Sequence, residues 1–131
     1  MKTLYISDLD GTLLNSKEKL SDYTIAVINK LTEKGFLFSY ATARSLVTSE
    51  KAAGSLIAEI PVIVYNGAFI INNKTKKIIN SNFFTADETR YVREILTKNN
   101  ICPIVYAYID GIEANIDPIG DVFLAFTLIA E

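Results

Sequence analysis

Histidine and tryptophan are both absent from this chain. Without histidine, Ser-His-Asp and Cys-His catalysis, imidazole-ligated metals and histidine pH switches are all excluded. Any catalysis must rest on carboxylates, hydroxyls, lysine, arginine or a hard metal ion. A single cysteine, Cys102, cannot close an intramolecular disulfide, which fits a reducing cytoplasm. Long apolar runs are missing too. The longest, "VFLAFTLIA" (122–130), is too short to span a bilayer as a helix. Asp8 and Asp10 interrupt the first apolar run too early for a signal peptide, so no membrane partner is expected. Positive charge is not in excess: 13 Lys and Arg face 15 Asp and Glu, for a net charge of −2, which argues against a nucleic-acid face. The one basic cluster, Lys74, Lys76 and Lys77, reads as a solvated hairpin turn. What remains is a globular composition, 50% apolar and 21% charged over 131 residues, without repeats or low-complexity tracts.

The apolar pattern alternates between two periods. "TLYIS" (3–7) is a buried-strand run. Ser21 then opens a helix in which Ile25, Ile28 and Leu31 share a face broadened by Val27, and Gly35 supplies its stop. "FLFSYAT" (36–42) is strand-like, 45–59 is helical though weakened by Gly54 and ended by Pro61, and "VIVY" (62–65) is a third strand. Strand-helix-strand-helix-strand predicts an α/β, Rossmann-like three-layer core built on a parallel sheet of order 3-2-1. "AFIIN" and "KIINS" flank "NKTKK" as a β-hairpin, Thr85 and Glu88 form a capping box opening a helix to about residue 99, and 103–110 with 112–117 form another hairpin. The expected division is a core over 1–82 and the start of an α+β region over 83–131.

Each predicted core strand ends in a polar cluster: Asp8-Leu9-Asp10, then Thr42-Ala43-Arg44, then Asn66-Gly67. In a parallel sheet these ends share the edge where ligands bind. Two carboxylates one residue apart repel unless something positive joins them. They suit Mg²⁺, a hard cation that prefers oxygen donors and keeps several waters. Gly11 permits a tight turn whose backbone N–H groups can face phosphate oxygens. One carboxylate can attack phosphorus, and the other can protonate the leaving oxygen and then deprotonate water. The bland alternative for the pair is an acidic turn closed by Asx hydrogen bonds, and for Asn66-Gly67 a plain turn dipeptide.

"DLDGTLL" (8–14) resembles the first motif of the haloacid dehalogenase-like hydrolases. An exact D-x-D-G-T arises by chance in such a chain on the order of one time in a thousand. "YATAR" (40–44) is similar to the second motif, with Ala43 where glycine is commoner, and "YNGAFI" (65–70) to a segment of the Cof-type subfamily. The resemblance implies Asp8 as nucleophile, Asp10 as general acid/base, and Mg²⁺ held by Asp8 and by Asp10 through its carbonyl. It implies a phosphate- and substrate-binding set of Leu9, Gly11, Thr12, Thr42, Ala43, Arg44, Asn66 and Gly67. It also implies a small phosphorylated metabolite as substrate, and a cap domain beginning with the hairpin and the capping-box helix.

The family's later lysine and its G-D-x-x-N-D acidic motif are not identifiable. Gly120-Asp121 is followed by Leu124 and Ala125 at the Asn-Asp positions, and 99–131 holds no lysine. The expectation is therefore a truncated phosphohydrolase of low activity. The alternative is a non-catalytic phosphate- or Mg²⁺-binding remnant or interaction module. Phosphomutases of related fold share the aspartyl-phosphate logic. P-type ATPases carry lysine where Leu9 stands, and D-x-D glycosyltransferases usually place that motif well inside the chain. With later core strands missing, the first strand becomes a sheet edge, which predicts self-association there, or cover from 122–130.

Overall fold

The computed structural model describes residues 3–57, 60–101, 105–109 and 112–116. The chain divides into two compact units, Met1–Asn82 and Phe83–Glu131.

In the first unit the elements run β1 (Leu4–Asp8), α1 (Asp22–Glu33), β2 (Leu37–Ala41), α2 (Leu46–Ala53), β3 (Val62–Val64), β4 (Phe69–Ile71) and β5 (Ile78–Ser81). They form one sheet in the order β1-β2-β3-β4-β5. The pairs β1–β2 and β2–β3 are parallel, whereas β3–β4 and β4–β5 are antiparallel. The expected parallel order 3-2-1 holds for the first three strands. The hairpin is not the start of a second unit: β4 pairs along β3 and makes the sheet mixed. Its short connection allows this, since an antiparallel neighbour needs no crossover. Lys76 reaches back to Glu50 of α2, and the Asn72 carboxamide oxygen accepts from the Lys74 and Thr75 amides at 3.1 and 2.8 Å. The lysine cluster is thus a turn held by local polar contacts.

Local chemistry explains the helices. Ser21 caps α1 by accepting from the Thr24 amide at 3.1 Å, and Ser45 caps α2 by accepting from Thr48 at 3.2 Å. Here α2 departs from the expected span to residue 59: it ends at Ala53. Gly54 takes φ +61 and donates to the Glu50 carbonyl at 3.0 Å, which closes the last turn. Residues 58 and 59 lie outside the described set. Asn29 of α1 then secures the chain that follows, donating to the Ser55 carbonyl at 3.1 Å and accepting from the Ile57 amide at 2.8 Å.

Both helices lie on one face of the sheet. Tyr5 and Phe38 are register partners and line a groove with Val27, Ile28 and Leu31 of α1. Tyr40, two residues beyond Phe38 and so on the same face, meets Ser49 of α2 at 3.4 Å. Right-handed crossovers that step in one direction across a sheet place their helices on one side. Burial centres on β2, β3, β4 and α2, with Tyr40, Val62, Val64, Ile71 and Ser49 fully enclosed. By contrast, among the described residues β1 is the edge strand of the sheet, with Leu4, Tyr5 and Ile6 44–50% exposed.

In the second unit α3 (Ala86–Lys98) precedes a hairpin of β6 (Val105–Ile109) and β7 (Ile112–Ile116). The Thr85–Glu88 capping box is present in both directions. The apolar stretch 122–130, with its expected role at the edge, and the Gly120-Asp121 pair lie outside the described residues. Among the described residues, no helix is long and apolar enough to cross a membrane.

Candidate active site

The site begins where β1 stops. Leu9, between the two aspartates, is fully buried and pins the chain under the sheet end. The next residues cannot continue as a strand: Asp10 is extended (φ −75, ψ 125) and Gly11 turns left-handed (φ +73, ψ 0). A Cβ at Gly11 would meet nothing within 4 Å, so the backbone angle alone calls for glycine. Thr12 and Leu13 complete this turn, and the Leu14 amide closes it on the Leu9 carbonyl at 2.9 Å. Asp8 caps the turn, its carboxylate accepting from the Leu9 amide at 2.8 Å.

Pairing brings in the second cluster. Asp8 stands opposite Ala41 in the β1–β2 register, so Thr42 follows directly beside the aspartate segment. Thr42 is buried, and its amide donates to the Ile63 carbonyl at 3.0 Å. Its hydroxyl accepts from the Arg44 amide at 3.1 Å across Ala43. The third cluster is bonded to the second: Asn66 N–H donates to the Thr42 carbonyl at 3.1 Å, and Tyr65 N–H to the Arg44 carbonyl at 2.9 Å. Tyr65, Asn66 and Gly67 all have positive φ, at +52°, +55° and +89°. The Tyr65 ring packs edge-on against Phe69, with centroids 5.2 Å apart.

Arg44 joins the second cluster to the first. Its Nε donates to both Asp10 carboxylate oxygens, at 3.1 and 2.9 Å, and its Nη2 reaches Oδ1 at 2.6 Å. The same Nη2 lies 3.0 Å from the Glu18 carboxylate. The Arg44 hydrogen bond holds the Asp10 carboxyl below the usual carboxylate range, against an opposing effect of burial and with the help of the Arg44 charge. The guanidinium in turn is pushed above its ordinary value, chiefly by the Asp10 bond and then by Glu18.

The three predicted clusters therefore meet at one sheet edge. Asp8, Leu9, Asp10, Gly11, Thr12, Thr42, Ala43 and Arg44 form two adjoining turns, while Asn66 and Gly67 join through the backbone. Glu18 escaped the sequence reading. Its one legible signal was Asn15, whose side chain organises the loop that carries it: the Asn15 oxygen accepts from the Lys17 and Lys19 amides at 2.9 and 3.3 Å.

A divalent cation would find only hard oxygen donors here. Among the described residues no three carboxylate, thiol or imidazole side chains cluster. Because Arg44 engages both side-chain oxygens of Asp10, the donors that fit best are the Asp8 carboxylate and the Asp10 carbonyl. Two protein oxygens suit an ion that retains most of its water shell.

Comparison with known proteins agrees with this geometry. The model of the haloacid dehalogenase-like hydrolase family matches residues 5–117. The chain belongs to that family, in its Cof-type branch. It is 28% identical over 93 residues to a 5-amino-6-(5-phospho-D-ribitylamino)uracil phosphatase of Bacillus subtilis, covering 71% of this chain and 37% of that protein. It is 25% identical over 99 residues to a pyridoxal phosphate phosphatase of Escherichia coli, covering 76% and 36%. A candidate phosphatase of Buchnera aphidicola is 37% identical over 75 residues, 56% of this chain and 27% of that one. Among solved structures, a phosphatase of the same superfamily from Bacteroides thetaiotaomicron superposes with a TM-score of 0.76 at 19% identity, covering 97% of this chain and 52% of that one. The chain thus spans about a quarter to two-fifths of the length of these sequence relatives.

Proposed function

We propose that the sheet-edge site binds a small phosphorylated metabolite and transfers its phosphoryl group to Asp8. The observation that carries this reading is the meeting of Asp8, Asp10, Thr42 and Arg44 at the end of β1 and β2, in a chain of a phosphatase-rich family. Asp8 attacks phosphorus, the bond to the leaving oxygen breaks, and an aspartyl-phosphate forms. Asp10 delivers a proton to that leaving oxygen, for which it must first be protonated against the Arg44 bond, and then takes one from the water that cleaves the acyl-phosphate. The Thr42 hydroxyl and the amides of the turn after Gly11 orient the phosphoryl oxygens. Mg²⁺, on which the family generally depends, would be held by Asp8 and the Asp10 carbonyl and would neutralise charge on the transferring group.

Turnover by this chain is slow in this account. Phosphoryl transfer depends on positioned positive charge, and among the described residues the cation bonded to Asp10, Arg44, is already engaged by two carboxylates. The same engagement favours a second reading, a site that binds phosphate and Mg²⁺ without turnover. The cytoplasm is the proposed location, and the second unit is proposed as the start of a cap. We further propose that β1 pairs with β1 of a second copy, since among the described residues no strand pairs on its outer side and its apolar side chains are about half exposed. Mg²⁺ calorimetry on the parent and on Asp8→Asn tests the site. The account expects weak binding that the substitution removes. Equal affinities would show that the pair is no metal site.

A further inference from the structure

We infer that Tyr65 is a positioning residue for the 42–44 turn: its ring, seated on Phe69, holds a left-handed backbone angle that keeps the turn tied in place. The inference rests on the reading of Thr42 and Arg44 as the phosphate seat.

Three observations converge. First, Tyr65, Asn66 and Gly67 run left-handed in succession, at φ +52, +55 and +89. Asparagine and glycine adopt such angles readily, whereas a bulky aromatic residue does so only at a cost. Second, the angle has its effect one residue further on. Rotation about φ at Tyr65 leaves that residue's own amide on the Arg44 carbonyl, at 2.9 Å, but swings away the Asn66 amide, which donates to the Thr42 carbonyl at 3.1 Å. The bond from the third cluster to the Thr42 carbonyl therefore depends on this one angle. Third, the ring has a fixed seat. It meets Phe69 edge-on, with centroids 5.2 Å apart and planes at 64°. Phe69 is buried and stands in register opposite Val64, the residue before Tyr65, so the seat cannot drift from the turn it steadies. Glycine at this position would take the angle freely but would not select it, whereas the aromatic contact does.

The coupling across the hydrogen bond between the Asn66 nitrogen and the Thr42 carbonyl carbon, measured by NMR, reads the tie directly. It needs no turnover, and a loss of overall stability does not move it while the protein remains folded. Tyr65→Phe keeps the ring and should match the parent. Tyr65→Ala loses the seat but keeps the cost of the angle, and its coupling should fall to about half or less. Tyr65→Gly also loses the seat but frees the angle, and should recover part of the loss. Parent coupling in Tyr65→Ala, or coupling in Tyr65→Phe or Tyr65→Gly as weak as in Tyr65→Ala, would overturn the assignment. Titration with inorganic phosphate and Mg²⁺, followed at the Thr42 amide, separates this inference from the phosphate reading. Affinity should be kept in Tyr65→Phe and weakened in Tyr65→Ala, and equal affinity in both would overturn the positioning role. No phosphate shift in the parent, with the order of couplings intact, would remove the phosphate reading and leave Tyr65 as the residue that holds the turn.

Discussion

The Asn66 amide donates to the Thr42 carbonyl at 3.1 Å, and this bond joins the turn after β3 to the turn after β2. Two segments more than twenty residues apart are thereby held in one frame. The same frame carries Arg44 and, through it, Asp10. Polar residues at the ends of three strands become a site because backbone hydrogen bonds, and not only side chains, tie the ends together.

Gly11 shows how much of the site depends on backbone angle. Its φ of +73 has open space around it. Gly11→Ala should cost about 1 kcal/mol through the left-handed penalty alone, with no clash to add. Urea denaturation of the two proteins measures it. An unchanged midpoint would mean that the turn rearranges freely and does not hold Asp8 and Asp10 in place.

The exposed β1 edge predicts concentration-dependent association. Light scattering of the parent should show a mass that rises with concentration, and Ile6→Lys should abolish the rise, since a charge on an edge strand opposes pairing. Ile6 is half exposed, so the substitution leaves the fold intact, as far-ultraviolet circular dichroism would verify. A parent that stays monomeric at every concentration contradicts the pairing.

In the second unit, the Thr85 amide donates to the Glu88 carboxylate at 2.8 Å. That bond, followed by the Thr85 hydroxyl, lowers the Glu88 pKa. A depressed acid stabilises the fold above its unfolded value and loses that contribution as pH falls through the folded one. Amide protection in the first turn of α3 should therefore weaken below the ordinary glutamate range, and Glu88→Gln should flatten this dependence. A variant with the same slope as the parent would show that the capping box does not set it.

Much of this was legible because its causes are local. Ser21, Ser45 and Thr85 cap their helices through groups three residues away, and the β1–β3 alternation needs only periodicity. The end of α2 was misread because Leu56 and Ile57 continue an apolar pattern that Gly54 has already broken. The division placed the hairpin in the core while the resemblance linked it to the cap, and nothing within 68–81 reveals that β3 is its partner. Arg44 was picked out by the sequence, but its partners were not legible: Asp10 and Glu18 lie 34 and 26 positions away, and only the folded sheet brings them together. The left-handed Tyr65 has no sequence signature, since a bulky ring adopts that conformation only when its surroundings enforce it.

Trapping the aspartyl-phosphate state tests the central claim most directly. Beryllium fluoride with Mg²⁺ forms a stable mimic on a nucleophilic carboxylate, visible by fluorine NMR. The account predicts a bound signal for the parent and for Asp10→Asn, and none for Asp8→Asn. A signal that survives Asp8→Asn, or no signal in the parent at saturating reagent, would contradict Asp8 as the residue that accepts phosphorus.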